Sequence, residues 1–193
     1  MSGARGQPCP GPALPSVPGG WPAVLADPPW RFTNRTGKAA PEHARLYRYP
    51  TMDLAGICGL PVERITAGRA HLYLWVPNAL VREGLRVMDS WGFHYKSDLF
   101  TWEKVTNAGD PAFGTGYYTR KSTEQLLYAT RGRGLRRIDR GVSQCIRAPR
   151  REHSRKPDEV IEGLERLFGP VRRLELFARR QRLGWEAWGN EVG

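Results

Sequence analysis

A double proline stops the apolar run Val24-Leu25-Ala26 directly after Asp27. Proline donates no ladder hydrogen bond, so a strand over about Ala23 to Ala26 has to end at Pro28-Pro29. That strand delivers a carboxylate, a stiff backbone and the indole of Trp30 to one edge of whatever sheet it joins. The set Asp27, Pro28, Pro29 and Trp30 is suited to gripping a flat nitrogenous base and presenting its exocyclic amine, and all four are candidate catalytic residues. Taken alone, Asp27 also fits a turn cap before the prolines, and Trp30 a core aromatic beside a strand.

The remaining pattern is alternating. His71 to Val76 reads as a buried strand, and Pro77 opens a helix whose Leu80, Leu85, Val87 and Met88 recur at helical spacing up to Gly92. A short helix follows Thr51 and stops at Gly59. Further strands are predicted over Ser97 to Trp102, Glu124 to Ala129 and Arg173 to Ala178. The clearest helix starts at Pro157, with Val160, Ile161, Leu164, Leu167 and Phe168 on one side, and ends at Gly169-Pro170. Strands and helices in this order predict a three-layer α/β domain with a mostly parallel sheet. Ligands of such folds collect beyond the carboxyl ends of the strands, where Asp27, Pro77-Asn78 and the residues after Phe177 converge. Residues 1–20, with Pro8, Pro10, Pro12, Pro15 and Pro18, predict an unstructured lead-in, and 21–193 the single ordered domain.

Charge points to an anionic partner. The net charge is +11 over 193 residues, which favours nucleic acid or an acidic membrane surface. No apolar stretch is long enough to span a bilayer, and no signal-peptide core opens the chain. Cys9, Cys58 and Cys145 have no metal spacing and read as free thiols of a reducing compartment, hence a cytoplasmic protein. The histidines also lack metal spacing, and no metal is expected. His71, at the start of an apolar strand, reads as a structural histidine. Between Arg131 and Lys156 ten Lys and Arg face only Asp139 and Glu152. Residues Arg131 to Arg151 are the expected phosphate contacts, with Arg133, Arg136 and Arg137 prominent and a solvated basic face as the alternative. Arg31, Arg35 and Lys38 lie in the polar 31–48 loop that leaves the tetrapeptide and are expected to grip the target. Together with 103–122, that loop is where target choice is expected to reside.

Several segments carry a resemblance: Leu25 to Trp30, Tyr73-Leu74-Trp75-Val76, Trp91-Gly92-Phe93, His153 to Glu159, Leu174 to Arg179, and Trp188-Gly189-Asn190-Glu191. In this order they resemble the MT-A70 family of S-adenosylmethionine-dependent adenine N6-methyltransferases, in its bacterial and phage DNA-modifying branch, from Trp21 to Glu191. The resemblance implies a Rossmann-like methyltransferase fold, S-adenosylmethionine as donor and the N6 amine of adenine in DNA as acceptor. It implies that Asp27 and the Pro28 carbonyl contact the target amine and that Trp30 stacks on or walls the base. Lys156 resembles a lysine beside the donor's carboxylate, Arg179 a ribose-contacting arginine, and Asn190 with Glu191 an Asn-Gln pair at the donor's ribose and adenine. Gln181 stands where the family's messenger-RNA enzyme has a histidine, and Glu191 where it has glutamine. That enzyme's zinc-finger region has no counterpart here, which makes RNA the lesser expectation. A non-catalytic nucleic-acid-binding partner of the same fold is the remaining alternative, and the oligomeric state stays open. Lys156 as a surface lysine, Asn190 as a turn residue and Arg179 as part of a basic run are the bland readings of those positions.

Overall fold

In the computed structural model, residues 13–31, 51–116, 118–151, 155–190 and 192 are described. Strand β1 (Trp21–Ala26) buries both of its faces. Ala23 and Leu25 enter one apolar cluster, and Val24 and Ala26 the other. Burial on both sides is what the middle layer of an α/β sandwich requires. The strand sits in a seven-stranded sheet with β2 (Thr66–Val76), β3 (His94–Val105), β4 (Thr123–Arg131), β5 (Cys145–Pro149), β6 (Arg173–Leu176) and β7 (Glu186–Trp188). Their order is β5-β3-β4-β2-β1-β6-β7. Pairings β1–β2, β1–β6, β6–β7 and β3–β5 are parallel, whereas β4 runs against both β2 and β3.

Helices α1 (Leu54–Cys58), α2 (Val62–Ile65) and α3 (Val81–Ser90) lie on the Val24 face, contributing Ile57, Val62, Val87 and Met88 to its cluster. Helix α4 (Asp158–Phe168) covers the Leu25 face with Val160, Leu164, Leu167 and Phe168. Its buried positions follow the helical period, and Asp158 and Glu159 in the first turn with Arg166 in the last suit the helix dipole. Gly163 lets α4 approach β3: a Cβ there would meet the Phe100 ring at 2.8 Å. This is the three-layer α/β architecture that the alternating pattern predicts, and it agrees with the Rossmann-like fold that the resemblance implies.

Two strands were not expected. In β5 only Ala148 is buried, and β7 is three residues long, so neither carries a readable period. Strand β3 extends past the predicted Ser97–Trp102 at both ends. Strand β6 ends two residues early because Phe177 turns into the left-handed region at φ 61°. Residues 13–20 run along the domain: Leu14 and Val17 pack on the core, and the Trp21 indole donates to the Pro15 carbonyl at 2.8 Å. Indole N–H groups buried elsewhere also find carbonyls, Trp91 at Ile57 (2.9 Å) and Trp102 at Ala148 (2.9 Å). No helix among the described residues is long and apolar enough to cross a membrane.

The chain leaves β1 for β2 on one side and later returns with β6 on the other side. That reversal marks the carboxyl ends of β1 and β6 as the place where sheets of this kind form their ligand crevice.

His71 occupies the opposite edge as a structural residue. Its Nε2 accepts from the Leu135 amide at 2.7 Å, which places the proton on Nδ1, 3.1 Å from the Tyr73 hydroxyl. The Tyr128 hydroxyl also donates to Nε2 at 3.0 Å. Burial lowers its pKa from 6.5 to about 4. The unfolded chain therefore binds a proton that the folded chain refuses between pH 6.5 and 4, and stability falls as pH drops through that window. Urea titrations should show a loss of about 3 kcal/mol attributable to this group between pH 7 and 4. His71→Gln should be less stable at pH 7 and flatter across the window; an unchanged slope would refute the assignment.

Candidate active site at the carboxyl edge of the sheet

Asp27 follows the last residue of β1, and its carboxylate meets Lys156 Nζ at 3.0 Å. The same ammonium meets Glu124 Oε2 at 3.2 Å. Lys156 comes from the segment entering α4, while Glu124 lies near the start of β4. Because β4 is antiparallel, it begins at the edge where the other strands end. Glu124 also pairs with Lys104, so two ammonium groups and two carboxylates alternate along the rim. Lys156 Nζ also lies 5.3 Å from the centre of the Trp75 ring, a cation–π distance.

All three charges nearest the crevice are shielded, with side-chain exposures of 17% for Lys156, 22% for Asp27 and 27% for Glu124. Burial pulls the Lys156 pKa down, but Asp27 and Glu124 together overcome it and hold the ammonium above the ordinary lysine range. Burial likewise raises Glu124, and Lys156 with Lys104 reverses it to a net depression. Lys156 and Glu124 thus stay charged because each is beside its opposite.

The tetrapeptide is held from below. Asp27 donates its amide to the Leu176 carbonyl at 3.4 Å, and Trp30 donates its amide to Pro28 at 2.8 Å, a γ-turn closing over Pro29. The Pro28 carbonyl therefore keeps one lone pair for another donor. Pro29 accepts from the Met52 amide at 2.9 Å. Trp30 differs from the open stacking platform that its position after two prolines suggests. Its side chain is buried, with the residue 7% exposed, and its Nε1 donates to the Trp75 carbonyl at 3.0 Å. The γ-turn folds the indole back into the core beneath the rim.

Neighbouring strand ends carry the other expected positions. Leu176 pairs with Trp188, and the Ala178 amide donates to the Trp188 carbonyl at 2.9 Å. Arg179 and Asn190, both exposed, emerge beyond this clasp. Gly189 is required there, since a Cβ would sit 2.2 Å from the Ala178 carbonyl oxygen. Phe177, whose positive φ is uncommon outside glycine, meets Trp188 edge to face with ring centres 5.6 Å apart. Strain of this kind clusters at ligand sites. The rim thus brings together Asp27, Pro28, Pro29, Lys156, Arg179 and Asn190. Glu191, Arg35 and Lys38 lie outside the described residues. Arg31 is exposed, with Nε 3.4 Å from Thr51 Oγ1.

Arg133, Arg136 and Arg137 are elsewhere. They are exposed and follow β4, whose Arg131 pairs with Ala70 at the far edge, six residues from the Val76–Gln125 pair. That is roughly 20 Å of strand. Besides Lys156 and Arg179, the rim receives Lys104, Arg151, Arg155, Arg180 and Arg182; Arg151 and Arg155 close the basic run, and the other three were not expected as site residues. Glu124 was likewise read only as part of a strand.

The residues on this rim fit S-adenosylmethionine chemically: a shielded cation for a carboxylate, a carboxylate for an ammonium, and an exposed amide, Asn190, beside a strained strand end for ribose hydroxyls. The MT-A70 family pattern matches residues 21–191, and the chain belongs to this family of S-adenosylmethionine-dependent N6-adenine methyltransferases. Among its relatives are the Type II methyltransferase M.MunI of Mycoplasma sp, 32% identical over 88% of this chain and 76% of that protein. A probable N(6)-adenosine-methyltransferase of Oryza sativa is 31% identical over 88% of this chain and 22% of its own length. The N6-methyladenosine RNA methyltransferase MTA1 of Cryphonectria parasitica is 30% identical over 88% and 51%. The chain therefore spans about three quarters of the first, about a fifth of the second and about half of the third. Several relatives are named for adenosine or RNA methylation, which overturns the expectation that RNA is the lesser partner, and the relatives do not place the chain specifically in the DNA-modifying branch.

Removing Lys156 should leave two shielded carboxylates without their shared cation. Lys156→Met is expected to lose about 1–3 kcal/mol of stability in urea at pH 7, less than for a fully buried pair. Glu124 has a depressed folded pKa, so its contribution is present above the unfolded value of 4.5 and fades as pH falls below it. The gap between wild type and variant should accordingly narrow below pH 4.5.

Proposed function

We propose that this protein methylates the N6 amine of adenine in a polynucleotide, with RNA the favoured substrate. The observation that carries the reaction is the Asp27–Lys156–Glu124 set beneath the crevice at the ends of β1 and β6. S-adenosylmethionine supplies an electrophilic methyl group on a sulfonium. The chain supplies position and charge. Lys156 has three N–H donors, two of them directed at Asp27 and Glu124, and the third serves the donor's carboxylate. Asn190, Glu191 and Arg179 hold its ribose and adenine.

Asp27 and the second lone pair of the Pro28 carbonyl accept the two N–H bonds of the target amine. An adenine amine is a weak nucleophile because its lone pair is delocalised into the ring. Fixing both N–H bonds turns that lone pair toward the methyl carbon, and the carboxylate stabilises the positive charge that develops on nitrogen. Asp27 need not act as a strong base, since the methylated amine sheds its proton readily. Trp30 supports the base pocket from beneath, its buried indole anchored to the Trp75 carbonyl.

RNA is favoured because relatives named for adenosine or RNA methylation prevail. DNA is the second reading, on the strength of M.MunI, most of whose length this chain spans. A non-catalytic partner is disfavoured by an intact Asp27-Pro28-Pro29-Trp30 with Lys156 paired to it. The deciding assay offers labelled S-adenosylmethionine with matched RNA, single-stranded DNA and duplex DNA, followed by nucleoside mass analysis. N6-methyladenine in RNA supports the favoured reading and label in DNA alone the second, whereas donor binding without transfer to any polynucleotide would defeat both. Asp27→Ala should lower transfer at least 100-fold, the scale set by removing one hydrogen-bonding group at a developing charge, with polynucleotide affinity changed less than threefold. Full activity in that variant would rule out the role given to Asp27.

A further inference from the structure

Beside the crevice, four guanidinium groups converge on one carboxylate. Asp158 Oδ1 accepts from Arg182 at 2.7 Å and from Arg180, and Oδ2 accepts from Arg155 at 2.6 Å and from Arg151. Arg182 also donates to Glu175 at 3.1 Å, and Arg151 lies 3.6 Å from Glu159. Each guanidinium carries five N–H donors in a planar fork, and the described contacts occupy one or two of them on each arginine. Arg155 and Arg180 form the outer side, with side chains 42% and 41% exposed, while Arg182 is the innermost at 15%.

The electrostatics are those of too many cations for one anion. Burial opposes the charge of Asp158, yet its bonds to Arg182, Arg151 and Arg155 hold it well below the usual carboxylate range. Burial and then the neighbouring Arg182 push Arg180 below the ordinary arginine value, and Arg155 adds to the effect. Three elements meet here: the segment after β5, the start of α4 and the turn after β6. Chains of contact tie the cluster to Asp27. Lys156, which touches Asp27, precedes Asp158 by two residues, and Glu175, which holds Arg182, pairs in register with Leu25 of β1.

We propose that Arg151, Arg155, Arg180 and Arg182 form a phosphodiester-binding seat for the polynucleotide strand that carries the target adenine, with Asp158 holding the four guanidiniums in place. The inference rests on the polynucleotide reading of the site. Guanidinium forks match phosphate oxygens two at a time, which an ammonium cannot do. The expected locus at Arg133, Arg136 and Arg137 is at the far edge of the sheet, whereas a strand whose base reaches Asp27 must carry its flanking phosphates past this rim. Contacts of this kind give affinity and register and leave base choice to other groups.

The test measures anisotropy of labelled adenine-containing RNA and DNA oligonucleotides with 5′-hydroxyl ends, so that every phosphate is internal, across a salt series. Arg155→Gln/Arg180→Gln should raise Kd at least tenfold near 0.1 M salt, make the salt slope shallower by about 1 to 2, and leave S-adenosylmethionine affinity within twofold. Arg136→Gln/Arg137→Gln removes the same charge at the far edge and should raise Kd less than threefold. Equal losses in the two pairs, or a loss of donor affinity with oligonucleotide binding intact, would overturn the seat. If the glutamine pair fails to fold, Arg155→Lys/Arg180→Lys keeps the charge and removes the fork; wild-type affinity in that pair would overturn the proposal as well. Should wild type bind oligonucleotide in this arginine-dependent way yet transfer no methyl group, the methylation reading fails while the seat stands.

Discussion

Lys156 between Asp27 and Glu124 is the contact on which the rest of the rim depends. It joins the end of β1, the start of β4 and the entry to α4, three points far apart in sequence. Only the reversed direction of β4 makes this possible. In a wholly parallel sheet the first residues of that strand would lie at the opposite edge, and Asp27 would have no second carboxylate beside its lysine. The separate costs of shielding an ammonium and two carboxylates are offset by their mutual attraction, so the arrangement specifies geometry more than it adds stability. It also holds the lysine from both sides, which is the preorganisation that a positioned substrate requires.

The base of this rim is rigid for reasons that lie in the backbone. The γ-turn at Pro28–Trp30 and the burial of Trp30 fix the tetrapeptide from beneath. On the next strands, the bond between Ala178 and Trp188 and the close approach of Gly189 bring the ends of β6 and β7 together. Phe177 at φ 61° lies between them. A left-handed phenylalanine persists only where its surroundings dictate it, and here they are Trp188 and the clasp that follows.

The fold was largely legible because both-face burial in β1 and β2 leaves continuous apolar runs, and α4 carries an uninterrupted helical period. What escaped had no period to read: β5 buries a single residue and β7 spans three. At the site, Asp27 and Lys156 were marked by motifs, but their contact was not, since it depends on the register of distant strands. Trp30 was misjudged as open because two prolines suggest a chain leaving the core, and the γ-turn brings it straight back. Phosphate contacts were expected in the densest basic run, of which only the end at Arg151 and Arg155 reaches the flank around Asp158. Charge density along a sequence has no direction, however, and the descent of β4 takes Arg133, Arg136 and Arg137 to the edge opposite Asp27 while bringing Glu124 beside it. Arg180 and Arg182 were visible as charges, yet nothing in their spacing pointed to Asp158.

The distribution of charge across the rim has its own logic. Nearest the crevice, Lys104 and Lys156 balance Asp27 and Glu124, whereas arginines dominate the flank around Asp158. A polyanionic strand needs cations to hold it, but a sulfonium and an amine gaining positive charge would be repelled by them. Placing the arginine excess to the side and the carboxylates at the centre separates these opposing demands. Guanidiniums attract the backbone over a Debye length of about 8–10 Å in physiological salt. The shielded carboxylate of Asp27 acts at hydrogen-bond range, where its effect on a developing positive charge is greatest. Moving any of those arginines inward would strengthen binding of the strand and weaken the reaction it is bound for.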